Sequence, residues 1–387
     1  MAIERSCVFC FETIFKCELM IHNKFKLLLG SLLLLLAGSL FAQENAMQAM
    51  GKANAKVAKA SSRQNRWDGP LDGPRLQVKK RVVFIGGDML NTVIADLYKG
   101  TKEAAALAGW EVLLIDCRGA CYQGAPVINQ AIGMKPDGII LAGVDASTQA
   151  KGLAKAQEKK IPVVGWHALS KPGPVDGLFA DIGNNPRDAG QIAALYGVTE
   201  ANSRMGMVIL TDNSTPYMAA KSAAAVEIIK QCENCRLLSV EEVPVAEAPA
   251  KLQAVADDLV KRYGSKWTHV LAVSDSYFDV LEKPSIATII AGNKLKGISA
   301  GDGSALAYQR MHSGSIQIGT IPEPVNMQGW QLVDELNRAL SGVAPSGYTM
   351  AVHLVSDQNI AFDGGGKNTF DPENDYRNQY KKYWMPK

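Results

Sequence analysis

One unit recurs along this chain and limits its possible folds more than any other feature. It is an apolar run, a turn bearing Gly or Asp, a helical stretch and a second apolar run. The clearest copy is "RVVFIGGDMLNTVIADLYKGTKEAAALAGWEVLLID", residues 81–116. Val82–Ile85 meets Gly86-Gly87-Asp88, a helical segment follows, and the next run ends in Asp116. Further strand-like runs fall at Gly138–Leu141 and Pro162–Val164, with helix-like segments near 92–108, 125–134 and 147–159. After about residue 200 the order restarts in "RMGMVILTDNSTPYMAAKSAAAVEIIKQCENCRLLSV", 204–240, and "THVLAVSD", 268–275, echoes "PDGIILAGVD", 136–145. Strands alternating with helices imply parallel sheets with right-handed crossovers. Two such series predict an α/β protein of two Rossmann-like lobes, and 387 residues at 47% hydrophobic suffice for both cores.

The segments before the body predict export. Lys24 and Lys26 precede "LLLGSLLLLLAGSLFA", residues 27–42: a basic region, a short apolar run and a small residue at Ala42. This is a secretory signal pattern, with cleavage expected after Ala42 and the periplasm as destination. The alternative is an uncleaved membrane anchor. Residues 1–19 fit no signal pattern, and Met20 would give a conventional start. Residues 43–78 read as a leader of weak amphipathicity and Gly/Pro turns, with Trp67 available to tack it onto the body. The mature chain keeps four cysteines in two close pairs, Cys117/Cys121 and Cys232/Cys235. In an exported protein these read as two local disulfides. A four-cysteine zinc site has similar ingredients, but the pairs fall in different halves of the chain. No metal site and no cofactor is expected.

Two nucleotide signals are weak. "GGDMLN" lacks the Gly-x-Gly-x-x-Gly spacing of a dinucleotide loop. "DGGGKNTF", 363–370, has Gly-Lys-Asn where a phosphate loop needs Gly-Lys-Ser/Thr, and no apolar strand leads into it. The net charge of +3, without like-charge blocks, argues against a nucleic-acid partner. Polar residues instead gather just past the strand runs: Asp88 and Asn91, Asp145, Trp166-His167, then Asp212-Asn213, Ser274-Asp275, Asp302 and Glu323. Ligands of open α/β sheets bind outside the carboxyl ends of strands, so two such edges face to face would make a cleft. Taken singly, Asp and Asn at these turns are more often helix caps.

The stretches "RVVFIGGDMLN", "KPDGIILAGVDAS", "IPVVGWHA", "THVLAVSD", "GISAGDGS" and "GTIPEPVNMQGWQLVDELNRALSG" resemble the periplasmic sugar-binding proteins of the ribose/galactose type over residues 80 to about 355. The resemblance implies hinge crossings near 180, 322 and 352. The lobes would be 79–181 with 323–351, and 182–322 with 352–387, joined by a three-strand hinge. The family's sugar contacts fall by position on Asn91, His167, Ser274 and Asp302, and its last cleft Gln falls near Pro322-Glu323. Departures accompany the match. Thr92, Val93 and Ile94 stand where ribose-type members have Pro and two Phe, and His167-Ala168 replaces their Asp-Arg clamp. Lys221 is the nearest cation to their paired Arg residues. Trp166, Tyr217, Tyr277 and Phe278 could supply aromatic walls. The expected ligand set is therefore Asp88, Asn91, Asp145, Trp166, His167, Tyr217, Lys221, Ser274, Asp302 and Glu323. The C-terminal "FDPENDYRNQYKKYWMPK" is expected to pack on the second lobe through Tyr376, Tyr380 and Trp384.

Three function classes follow. One is a monomeric substrate-binding protein that closes on a small polar ligand and delivers it to an ABC transporter permease. The second is a sensor subunit presenting ligand to a receptor kinase. The third, an enzyme, lacks a nucleophile–base pair and metal-ligand spacing in the sequence. Asp302 and Glu323 favour a hydroxyl-rich or cationic ligand, and Lys221 favours an anion.

Overall fold

The computed structural model describes residues 47–386, Asp176 excepted. The signal segment, the alternative start at Met20 and Cys7, Cys10 and Cys17 lie outside the described residues. Residues 47–60 form helix α1. The first series follows as β1 (Arg81–Gly86), α2 (Thr92–Ala106), β2 (Glu111–Asp116), α3 (Val127–Gly133), β3 (Gly138–Ala142), α4 (Ala150–Glu158), β4 (Val163–Trp166) and β5 (Ala180–Ile182). The second comprises α5 (Pro186–Glu200), β6 (Gly206–Thr211), α6 (Pro216–Gln231), β7 (Arg236–Glu242), α7 (Ala248–Tyr263), β8 (His269–Ala272), α8 (Ser276–Leu281), α9 (Pro284–Ile290), β9 (Lys296–Ser299), α10 (Ala305–Ser313) and β10 (Gln317–Thr320). α11 (Val325–Leu340), β11 (Val355–Ser356) and α12 (Tyr376–Trp384) complete the chain.

The two series make two sheets, as the repeated grammar predicts. One is parallel throughout, in the order β2-β1-β3-β4-β5. The other runs β11-β10-β9-β8-β6-β7 and is parallel except for β11, which is antiparallel to β10. Strands covered on both faces read as unbroken apolar runs, and β1, β3 and β6 do so. The side-chain period of two still divides the faces. Val82 and Phe84 join a core with α2 and α11, whereas Val83 and Ile85 join one with α3 and α4. Helix starts carry their caps: Asn91, Asn185 and Thr215 each accept a backbone N–H of the first turn, with Pro186 and Pro216 opening α5 and α6. The chain passes between the sheets after β5, after β10 and between α11 and β11.

One expectation is corrected. The C-terminal helix packs not on the second lobe but on α11, which lies against α2 and strands β3 to β5 of the first. Trp384 stacks on Trp330 at 5.5 Å, and its indole N–H donates to the buried Asp334 at 2.8 Å. The leader docks there too. Trp67 meets Tyr348 and Tyr380, and Leu76 N–H donates to the Trp384 carbonyl. α11 offers an aromatic and a buried acceptor one turn apart, and they take the Trp384 ring and its N–H. Among the described residues, no helix is long and apolar enough to cross a membrane.

Both cysteine pairs are within bonding distance, one after β2 and the other between α6 and β7. Peptide mapping without reductant should return Cys117–Cys121 and Cys232–Cys235. Free thiols at all four positions, or bound zinc, would overturn this. Each bridge closes a very short loop, so opening one should cost about 2 kcal/mol at most, the low end of the usual range.

Candidate ligand-binding cleft

The carboxyl ends of β1, β3 and β4 face those of β6, β8, β9 and β10, and the polar residues beyond them meet at the crossings. At the centre stands His167. Its backbone is left-handed at φ 53°, and its N–H donates to the carbonyl of Ile182. A Cβ on Gly183, itself at φ 149°, would lie 2.5 Å from His167 Cδ2, so the crossing strand needs glycine to let the imidazole in. The ring sits between Trp166 and Tyr217, with centroids 3.6 and 3.8 Å away and planes 17° apart in both pairs. Trp166 ends β4 of the first sheet and His167 follows it directly. Tyr217 opens α6 of the second lobe, so the stack bridges the lobes.

Glu323, on the second crossing, ties the stack together. Its Oε1 accepts from the Tyr217 hydroxyl at 2.9 Å and lies 3.1 Å from His167 Nε2. Its Oε2 accepts from Gln328 Nε2 and from Asn184 N–H at 3.3 Å. The Gln328 Oε1 in turn accepts from Trp166 Nε1 at 2.8 Å. Burial alone would raise the Glu323 carboxyl, but His167, Lys221 and the Gln328 donor outweigh it and hold it down to about 2. Burial, with Glu323 and Asp302 nearby, pushes the Tyr217 phenol well above its usual range, so it remains a donor. Beside this network, the fully buried Lys221 ammonium donates to Asp302 Oδ1 at 2.9 Å and to the Val273 carbonyl at 3.3 Å. That pairing settles the competing charges seen in the sequence: the one cation of the set is neutralised inside the protein.

The rest of the expected set is placed differently. Asp88 accepts from Leu90 N–H, Asn91 caps α2 through Val93 N–H, and Asp145 accepts from the amide and hydroxyl of Ser147. These are local caps, although one oxygen of Asp88 is left over. Ser274 is buried, and its hydroxyl reaches only Ser276, at 3.4 Å. Its neighbour Asp275 organises the turn that presents Asp302, accepting from the N–H groups of Asp302, Gly303 and Ser304 and from Gln317 and Thr320. Asn184 and Gln328 carry no sequence signal, the first lying in a crossing and the second inside a helix. Asn184 Oδ1 is buried without a donor.

Another pocket, of about 210 Å³, lies between the leader at Arg63 and the loop around Gly364–Glu373, which contains "DGGGKNTF". Of its carboxylates, Asp363 is engaged by His353 and Asn359, and Asp371 by Tyr376 and Arg377. Thr369 N–H closes the loop on the Gly364 carbonyl. Among the described residues, no cluster of three or more potential metal ligands occurs.

A family model described as "Periplasmic binding protein domain" matches residues 82–344, more than half of the chain. No curated protein matches it. Among solved structures, an ABC transporter solute-binding protein from Burkholderia graminis C4D1M in complex with D-arabinose aligns with a TM-score of 0.62 at 17% identity. The alignment covers 74% of this chain and 98% of that one. A sugar ABC transporter structure from Yersinia enterocolitica subsp. enterocolitica 8081 aligns at 0.66 and 15% identity, covering 79% and 93%. The XylFII–LytSN complex aligns at 0.58 and 18%, covering 73% and 99%. At such identities the likeness is one of fold.

Proposed function

Since the chain belongs to the periplasmic binding protein family, we propose that it captures one small, hydroxyl-rich polar ligand by closing its two lobes and delivers it to an ABC transporter permease. The observation that carries this reading is the network Trp166–His167–Tyr217–Glu323, whose members come from both lobes and a crossing. Such contacts exist only when the lobes are closed, so a hinge rotation would make and break them together. A ligand favours closure only if it binds that state better than the open one, by contacts to both sides.

The charge balance supports the ligand class. With Lys221 neutralised by Asp302, the cleft retains acceptors: the second oxygens of Asp302 and Asp88 and the orphan Asn184 Oδ1. These suit hydroxyl donors and disfavour an anion. Neighbouring structures of sugar-binding proteins agree with a sugar or alditol. The signal pattern before residue 43 and the two bonded cysteine pairs support a periplasmic site. The XylFII–LytSN neighbour supports a second reading, in which the closed form is read by a receptor kinase.

Titration calorimetry of the mature protein against neutral aldopentoses, aldohexoses and alditols, with hexose phosphates and aldonates alongside, tests the proposal. One or more neutral members should bind at one per chain and the anions should not. Binding of anions alone, or of nothing in the panel, overturns it.

A further inference from the structure

The loop that follows β2 does more than close a disulfide. Its backbone is tied to the end of β1 by Cys117 N–H to the Gly86 carbonyl at 2.9 Å and Gly119 N–H to the Gly87 carbonyl at 2.8 Å. Asp116 Oδ1 accepts from Arg118 N–H at 3.0 Å and Met89 N–H at 3.2 Å, joining this loop to the one after β1. The Cys117–Cys121 bridge, with Cys121 buried, locks a 3-10 turn at Ala120–Gln123. Tyr122 leaves that turn and lies across the ends of β1 and β3. A Cβ on Gly87 would sit 2.8 Å from its Cε1, 2.9 Å from its hydroxyl and 2.8 Å from the Gly143 carbonyl. Only glycine allows the ring there. Burial, then Asp88, Asp212 and Asp302, raise the phenol above its usual range, so the hydroxyl keeps its proton. Among the described residues, nothing hydrogen-bonds that hydroxyl or Asp302 Oδ2.

Resting on the cleft reading above, we infer that Tyr122, held in place by the Cys117–Cys121 bridge, forms a ligand subsite with Asp88 and Asp302 Oδ2. The phenol donates to a ring or hydroxyl oxygen, and the two carboxylates accept from adjacent hydroxyls. The subsite takes the vicinal-diol end of a neutral polyol or sugar. It spans the lobes, so a ligand filling it gains contacts only in the closed state. The bridge serves as a positioning device, because a phenol held over glycine loses little further freedom when it makes its bond.

The probe is whichever neutral monosaccharide or alditol of the panel the wild-type protein binds. Affinity is measured for wild type, Tyr122→Phe, Cys117→Ser/Cys121→Ser and the combined variant. Tyr122→Phe keeps the ring on Gly87 and loses only the hydroxyl, so affinity should fall about tenfold with the melting temperature unchanged. The double Ser variant should weaken binding in wild type but add nothing in the Tyr122→Phe background, since both act through one hydroxyl. Should the Ser variant not fold, Asp88→Asn replaces it, with a comparable loss expected. Wild-type affinity in Tyr122→Phe overturns the subsite while leaving the cleft reading intact. Absence of any wild-type binding across the panel overturns the cleft reading and the subsite with it.

Discussion

Glu323→Ala should lower the unfolding free energy by about 3–5 kcal/mol, the usual cost of removing one partner of a buried charged pair. The carboxylate is buried and holds donors from both sides of the hinge: the Tyr217 hydroxyl, Gln328 Nε2 and Asn184 N–H, with His167 Nε2 also against it. Alanine leaves each of them buried without its partner. The pH dependence has a defined sign. Glu323 is held at about 2 in the folded chain, against an ordinary value of 4.5. Its contribution is therefore complete above pH 4.5 and is lost as pH falls toward about 2. Urea titrations across that range should show a steep acid loss in wild type and a shallower one in Glu323→Gln. A loss below about 1 kcal/mol in Glu323→Ala, where a buried pair predicts several, or an unchanged acid slope in Glu323→Gln, would contradict the network.

The architecture was legible because parallel strands are written as unbroken apolar runs, and such runs cannot be mistaken for surface. Val82–Ile85 and Gly138–Leu141 are examples, and both fall within fully paired strands. The turns were legible as turns and ambiguous as sites. Asn91 and Asp145 are caps, whereas Asp302 and Glu323 meet Lys221 and His167 brought from other elements, yet all four look alike in one dimension. What separates them is the third dimension: whether another element brings a charge to the side chain. Lys221 lies eighty-one positions from Asp302, and Gln328 a hundred and sixty-two from Trp166. No local pattern encodes either meeting. Tyr122 was hidden in the same way. The cysteine spacing announced a bridge, but that the bridge aims a phenol across the end of β1 depends on Gly87, whose missing Cβ reads in sequence only as a turn. The aromatic spacing of the C-terminal segment marked a helix face and not the body it would meet, because the acceptor that takes the Trp384 N–H, Asp334 on α11, lies fifty positions away.

Asp302→Asn and Lys221→Met should each destabilise the fold by about 3–5 kcal/mol, while the double variant should return to within about 1 kcal/mol of wild type. The ammonium of Lys221 is wholly buried, and among the described residues Asp302 is the one carboxylate within ion-pair distance of it. Asparagine at 302 strands a charge in a low-dielectric interior. Methionine at 221 strands the opposite charge on a carboxylate already beside the buried Asp275. Removing both leaves an apolar chain of similar volume against a neutral amide, and the desolvation of two ions no longer has to be offset. A coupling term of about 3 kcal/mol or more in the cycle would establish the pair as one unit, and additive losses would show that the two side chains act separately. The cycle also bears on the ligand. In Asp302→Asn the Lys221 charge loses its ion-pair partner, so the cleft should bind the neutral probe less well and begin to admit the hexose phosphates that wild type refuses. In the double variant that gain should vanish, because the cation is gone. If Asp302→Asn keeps wild-type affinity for the neutral probe and still rejects anions, Asp302 is a structural counter-ion alone and its second oxygen does not face the ligand.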